Sequence, residues 1–260
     1  MDPSNPPTSV TLRSPSRALL WVFLASLAVR LLWVVVFGSE PSCTDSVEYF
    51  QNSANLELVV ASHGETSVWQ HNPGMILWAH LVHPFFPWAQ ALIGAATCAI
   101  VEALVPGSGW LLAFWLPHIA ATGLWLKWII AGFGVSVAWA IFRRWWWSAI
   151  PLSVVLIALF WSLVGQNVER DAVSPLWRLA GFWMPITELG GQKNALLLPF
   201  SVCWLVLLPG LLRVCRTWSG LLLVGGLSLG AILTFGVAQQ RLPFEPILLS
   251  LIVEAAPEKD

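Results

Sequence analysis

The residues best suited to chemistry lie in TDSVEYFQNSANL, residues 44–56, where Asp45 and Glu48 are followed by Asn52 and Asn55. On a helix these four share one face, and Val47, Phe50, Ala54, Leu58 and Ala61 share the opposite one. Such a carboxylate beside a membrane can take a proton from a hydroxyl or amine. It can equally hold a divalent cation that neutralises a phosphate leaving group. A purely structural role is also open, with Thr44 as helix N-cap and Asp45 favoured by the helix dipole. Further along, His71 precedes Asn72-Pro73, either as a contact to phosphate or sugar or as a turn residue. Arg170 and Arg178 bracket Trp177, and cations near an aromatic ring suit a sugar phosphate. The neighbouring run Glu169-Arg170-Asp171 also reads as a solvated charge cluster.

The elements that position these groups must be membrane helices. The chain has 260 residues and a mean hydropathy of +0.72, with 57% hydrophobic and 10% charged residues, against about 25% charged in soluble domains. Apolar runs near the roughly 20 residues a bilayer crossing needs recur along the chain. They are continuous rather than alternating, which excludes a β-barrel. The net charge of −1 and the lack of any basic tract longer than Arg143-Arg144 exclude a nucleic-acid partner. The four cysteines show no metal-ligand or CxxC spacing.

The expected fold is all-α, a polytopic helical bundle of about eight membrane segments with an amphipathic surface helix in the first outer loop. Residues 1–17 read as a disordered cytoplasmic N-terminus. Residues 18–256 read as a single transmembrane domain with outer loops 38–73 and 165–194, and residues 257–260 as a tail. Arg13 and Arg17 precede the first apolar run, whereas residues 38–72 contain no Lys or Arg, which places the N-terminus in the cytoplasm. Arg143-Arg144 and Arg213 with Arg216 fall inside on the same count. The expected runs are 18–37, 88–104, 110–123, 125–142, 146–164, 195–212, 218–237 and 247–256. The location implied is an inner or plasma membrane. The eighteen tryptophans suit interfacial belts, and Gly220, Gly225, Gly226 and Gly230 suit close helix packing. Glu102 and Lys127, within or beside apolar runs, are functional suspects or helix-end residues.

Three stretches resemble the membrane glycosyltransferases of the GT-C class, which includes protein O-mannosyltransferases and the aminoarabinose transferase acting on lipid A. They are AVRLLWVVVF followed by TDSVEYFQNSANL, then QHNPGMILWAHLV, and QQRLPFEPILLSLIVEAA near the end. The last is similar to the family's Arg-aromatic-Arg-Leu-Pro-x-x-Pro segment. The resemblance implies inverting transfer of a sugar from a polyprenyl-phosphate donor at the outer leaflet. It makes Asp45 the general base, Glu48 its partner and Arg241 the cation facing the donor phosphate; the competing role for Arg241 is a snorkelling interfacial arginine. A divalent cation is an open cofactor. Two features depart from the family: LPHIAATGLWLKW holds no carboxylate where many members carry a second acid, and Gln-Gln-Arg stands for Arg-Tyr-Arg. They keep open a non-catalytic scaffold or assembly subunit with a membrane-protein partner.

Overall fold

The computed structural model describes residues 17–37, 50, 51, 53, 73–124, 126–144, 174–184, 197–233 and 238–256. These residues are all-helical and contain no strand. In chain order they form α1 (Arg17–Phe37), α2 (Pro73–Val82), α3 (Trp88–Leu104), α4 (Ser108–Ala113), α5 (Leu116–Leu124) and α6 (Leu126–Arg144). Then come α7 (Pro175–Trp183), α8 (Leu197–Val214), α9 (Trp218–Leu233), a 3-10 segment (Ala238–Phe244) and α10 (Glu245–Glu254). Only α1, with 21 residues, is long and apolar enough to cross a membrane among the described helices. Trp88–Leu104, Trp128–Ile141 and Leu198–Val214 are apolar but shorter.

Besides a smaller cluster of Ile76, Ala79 and Val82 in α2, two apolar clusters lie at opposite ends of α1. One joins Val22 to Val101, Leu112, Leu207 and Leu248. The other joins Trp33 to Ile119, Phe200 and Leu242, with Ile93 against it. The early part of α1 therefore meets the late parts of α3 and α8, and its late part meets their beginnings, so α1 runs antiparallel to both. Outward, α1 exposes Leu32 and Val35, and α8 exposes Leu198, Val202, Leu205 and Leu212. Both helices thus carry an exposed apolar stripe opposite a buried face.

The apolar run 110–123 is not one helix. It breaks at Phe114 and Trp115 into α4 and α5. Pro117 accounts for the break, because it has no amide hydrogen to continue the helix from α4 and is tolerated in the first turn of α5. Upstream, α3 and α4 are joined by a tight turn in which Gly107 takes a φ of 90°, a left-handed conformation open to glycine. Glu102 closes this turn by accepting hydrogen bonds from the Gly107 amide at 2.9 and 3.0 Å and the Gly109 amide at 3.0 Å. Its carboxylate thus satisfies amides at the start of α4, which makes Glu102 a turn residue. The backbone of Lys127 lies in α6.

Two other sequence expectations change. Gly225 and Gly226 face open space, not a neighbouring helix. Gly220 does lie against the end of α8 at Val214, and further close approaches occur at Gly94, against Arg30, at Gly109, against Cys98 and Glu102, and at Gly210, against Ile252. Several tryptophans work inside the bundle instead of at its boundary. The Trp115 side chain is buried, the Trp183 indole donates to Ser228 Oγ at 3.0 Å, and the Trp204 indole donates to the Trp183 carbonyl.

Candidate functional site: two buried arginine centres

The strongest chemistry among the described residues is buried, at two arginines within the regions that resemble the membrane glycosyltransferases. Arg30 lies on α1 and has no solvent exposure. Its Nε donates to Ser26 Oγ at 3.2 Å, one helical turn back. Nη1 donates to the His118 carbonyl at 2.7 Å and to Thr122 Oγ1 at 2.9 Å. Nη2 meets His118 Nδ1 at 2.9 Å and Cys98 Sγ at 3.7 Å. All five guanidinium donors are occupied by neutral groups. Ser26 Oγ in turn donates to Cys98 Sγ at 3.2 Å.

This geometry fixes the state of His118. An arginine can only donate, so His118 Nδ1 accepts and the ring proton sits on Nε2. That Nε2 is buried and has no hydrogen-bond partner. It faces the backbone at Gly132, where an added Cβ would lie 3.4 Å from His118 Nε2 and 3.5 Å from Pro243 Cα. Those are ordinary van der Waals distances, so α5, α6 and the 3-10 segment meet at Gly132 without requiring a glycine. Gly94, by contrast, makes room for Arg30, since a Cβ there would stand 2.7 Å from Nε and 2.9 Å from Cζ.

Arg241, in the 3-10 segment, is 2% exposed and solves the same burial problem differently. Its Nε pairs with Glu245 Oε1 at 3.3 Å, and Glu245 is fully buried. Nη1 donates to the carbonyls of Phe182 at 2.9 Å and Met184 at 3.1 Å, at the C-terminal end of α7. The second Glu245 oxygen accepts from Trp115 Nε1 at 2.7 Å. The carboxylate neutralises the guanidinium, and each makes further hydrogen bonds, Arg241 as donor and Glu245 as acceptor, the condition under which a buried ion pair is tolerated.

The two centres share α5 and the residue before it. Trp115 reaches Glu245, and one and two turns later His118 and Thr122 reach Arg30. The helix break at Phe114–Trp115 therefore ties α1 and α3 to α7 and α10 through polar contacts inside an apolar bundle. Chemically, Arg30 is a cation spread over neutral acceptors, and Arg241 is the basic half of a neutral pair. Both guanidinium groups are enclosed, so the arrangement orients backbone segments rather than presenting either cation to a solute.

Of the residues expected to act, Asp45, Glu48, His71 and Arg170 lie outside the described residues. Arg178 belongs to the backbone of α7, a helix capped by Ser174, whose Oγ accepts the Trp177 amide at 3.4 Å. Arg241 is therefore the one expected site residue whose side-chain environment is described, and it is a buried ion-paired residue rather than an exposed interfacial one. Just after Glu48 in sequence, Phe50 packs on Phe86 with ring centroids 5.1 Å apart, and Ser53 is 1% exposed. The Ser53 carbonyl meets His80 Nδ1 at 3.0 Å. Phe50 belongs to the apolar stripe read from the sequence, and here it joins the Ile76, Ala79 and Val82 cluster of α2.

Sequence reasoning did not single out His118, Thr122, Trp115 or Glu245. A signal existed for Glu245, because Arg241 and Glu245 have the four-residue spacing that pairs charges on a helical turn. None existed for His118 and Thr122, whose partner is 88 and 92 residues away. Among the described residues no group of three or more His, Cys, Asp or Glu is arranged to hold a metal ion. No protein-family model, curated protein or solved structure matches this chain.

Proposed function

We propose that this protein is a multi-pass membrane glycosyltransferase of the GT-C type, moving a sugar from a polyprenyl-phosphate donor to an acceptor at the outer leaflet. The observation that carries the reading is the bridge made by Arg241, which binds the C-terminal end of α7 to the Arg-Leu-Pro-Phe-Glu-Pro segment. Both pieces are outer segments by the charge-derived topology, and α7 lies in loop 165–194. The antiparallel course of α1 against α3 and α8 supports the same sidedness. In this mechanism Asp45, with Glu48 beside it, takes the acceptor proton. The acceptor oxygen or nitrogen then bonds to the anomeric carbon as the bond from that carbon to the phosphate oxygen breaks. Polyprenyl phosphate leaves with the electron pair. Burial of Arg241 makes it a positioning residue for the outer segments rather than a contact to donor phosphate.

The test is transfer by the purified chain from a polyprenyl-phosphate sugar, comparing wild type with Asp45→Asn. A general base contributes about 100- to 10,000-fold, so the variant falls by that factor while its expression and melting temperature stay unchanged. Transfer at the wild-type rate would remove Asp45 from the mechanism.

The enclosure of Arg241 favours a second reading, a non-catalytic assembly subunit that keeps a glycosyltransferase-like fold. Copurification from native membrane separates the two. Bound polyprenyl phosphate without a stoichiometric partner favours the enzyme, and a stoichiometric protein partner without that lipid favours the subunit.

A further inference from the structure

We infer that a groove between the first turns of α1 and Trp110 of α4 holds one acyl chain of an anionic phospholipid, with the headgroup at Arg17. The groove encloses about 440 Å³ and is lined by Ala18, Trp21, Leu24, Ala25 and Trp110, a volume within the range of small-ligand sites. Ala18 and Ala25 lie seven residues apart, two helical turns on one face, and their small side chains leave the channel between the flanking larger ones. Trp21 is 61% exposed and Trp110 38% exposed, and Trp110 stacks on Phe114 with centroids 6.3 Å apart.

Charge identifies the occupant. Arg17 is exposed, immediately precedes Ala18 and is the first residue of α1. A cation at a helix N-terminus opposes the helix dipole, and the first turn of α1 contains no acidic residue to offset it. Arg17, Trp21 and Leu24 fall at spacings of four and three on one face of α1, so Arg17 continues the groove's lining face at its N-terminal end, where its charge favours an anion. The acidic group of the adjoining turn, Glu102, does not compete, because its oxygens take the amides of Gly107 and Gly109. An apolar chain carrying a phosphate diester meets both requirements. By the charge count this end of α1 faces the cytoplasmic leaflet, opposite the proposed transfer site. The inference rests on the membrane-spanning part of the proposed function and is independent of the transfer chemistry.

The test uses the full-length purified chain in mixed micelles with equal amounts of dioleoyl phosphatidylglycerol and dioleoyl phosphatidylcholine, read by native mass spectrometry. Wild type retains phosphatidylglycerol about fivefold over phosphatidylcholine, the preference that one interfacial arginine supplies. Arg17→Gln brings the ratio close to one and leaves total lipid unchanged. Ala25→Leu and Ala18→Leu fill the groove and lower retention of both lipids; Ala18 is exposed, so that variant keeps its fold. A wild-type ratio near one, an unchanged ratio in Arg17→Gln, or full retention by both leucine variants overturns the site, as does a lipid-free dimer. Extraction of the native chain by carbonate would overturn the membrane reading with it. A chain that resists extraction yet retains no lipid overturns the groove alone.

Discussion

Arg30 and Arg241 are buried to the same degree, yet their surroundings differ in kind. Arg30 spreads its charge over a carbonyl, two hydroxyls, an imidazole nitrogen and a thiol. Arg241 faces a carboxylate 3.3 Å away and two carbonyls. The first arrangement depends on many neutral partners brought from α1, α3 and α5, none of which is indispensable. The second concentrates its stability in one partner, Glu245, whose loss leaves an uncompensated charge. Hydrogen bonding to neutral groups thus distributes the consequence of mutation, whereas ion pairing focuses it.

The largest effect should come from breaking the pair. Glu245→Ala destabilises the fold by about 3–5 kcal/mol, because Arg241 is left charged without a counter-ion. The double variant Arg241→Met/Glu245→Leu recovers most of that loss, since both charges are removed together. Thermal unfolding in detergent measures both, and a double variant no more stable than Glu245→Ala would show that the pair is not what holds this region.

At the Arg30 centre crowding matters more than any single bond. Gly94→Ala places a methyl against Nε and Cζ and costs about 1–3 kcal/mol, as overpacking does. Combining it with Arg30→Met relieves the clash, so the second change costs less in the Gly94→Ala background than in wild type. Strict additivity in a double-mutant cycle would contradict the close approach.

The smallest effect should follow from deleting one distributed contact. Thr122→Val removes a single hydrogen bond and lowers stability by about 1 kcal/mol. A loss comparable to that of Glu245→Ala would mean that Arg30, too, relies on one dominant partner, and the contrast between the centres would collapse.

Much of the fold could be read from the chain alone, and particular residues show why. Long apolar runs predict α1, α3, α6, α8 and α9 because backbone groups in an apolar environment must pair within the helix. Arg241 is reached only through the resemblance at QQRLPFEP, which does not foresee its burial against Glu245, although the four-residue spacing is there to read. By contrast, the break in 110–123 arises from Pro117 together with the buried demands of Trp115 and His118, which a hydropathy count averages away. Phe50 packs on the Ile76, Ala79 and Val82 cluster of α2, a partner that nothing near it in the sequence indicates.

The amino-acid sequence by itself determined the helical class and the positions of its isolated charges. Both depend on local composition, on spacing and on the high cost of unpaired polar groups in an apolar setting. Only the tertiary structure decided which charge is neutralised and which is merely solvated by hydrogen bonds. Arg30 meets His118 and Thr122 across gaps of 88 and 92 residues, and Trp115 meets Glu245 across 130. Those meetings depend on helix order and on the room left at Gly94, which no periodicity encodes.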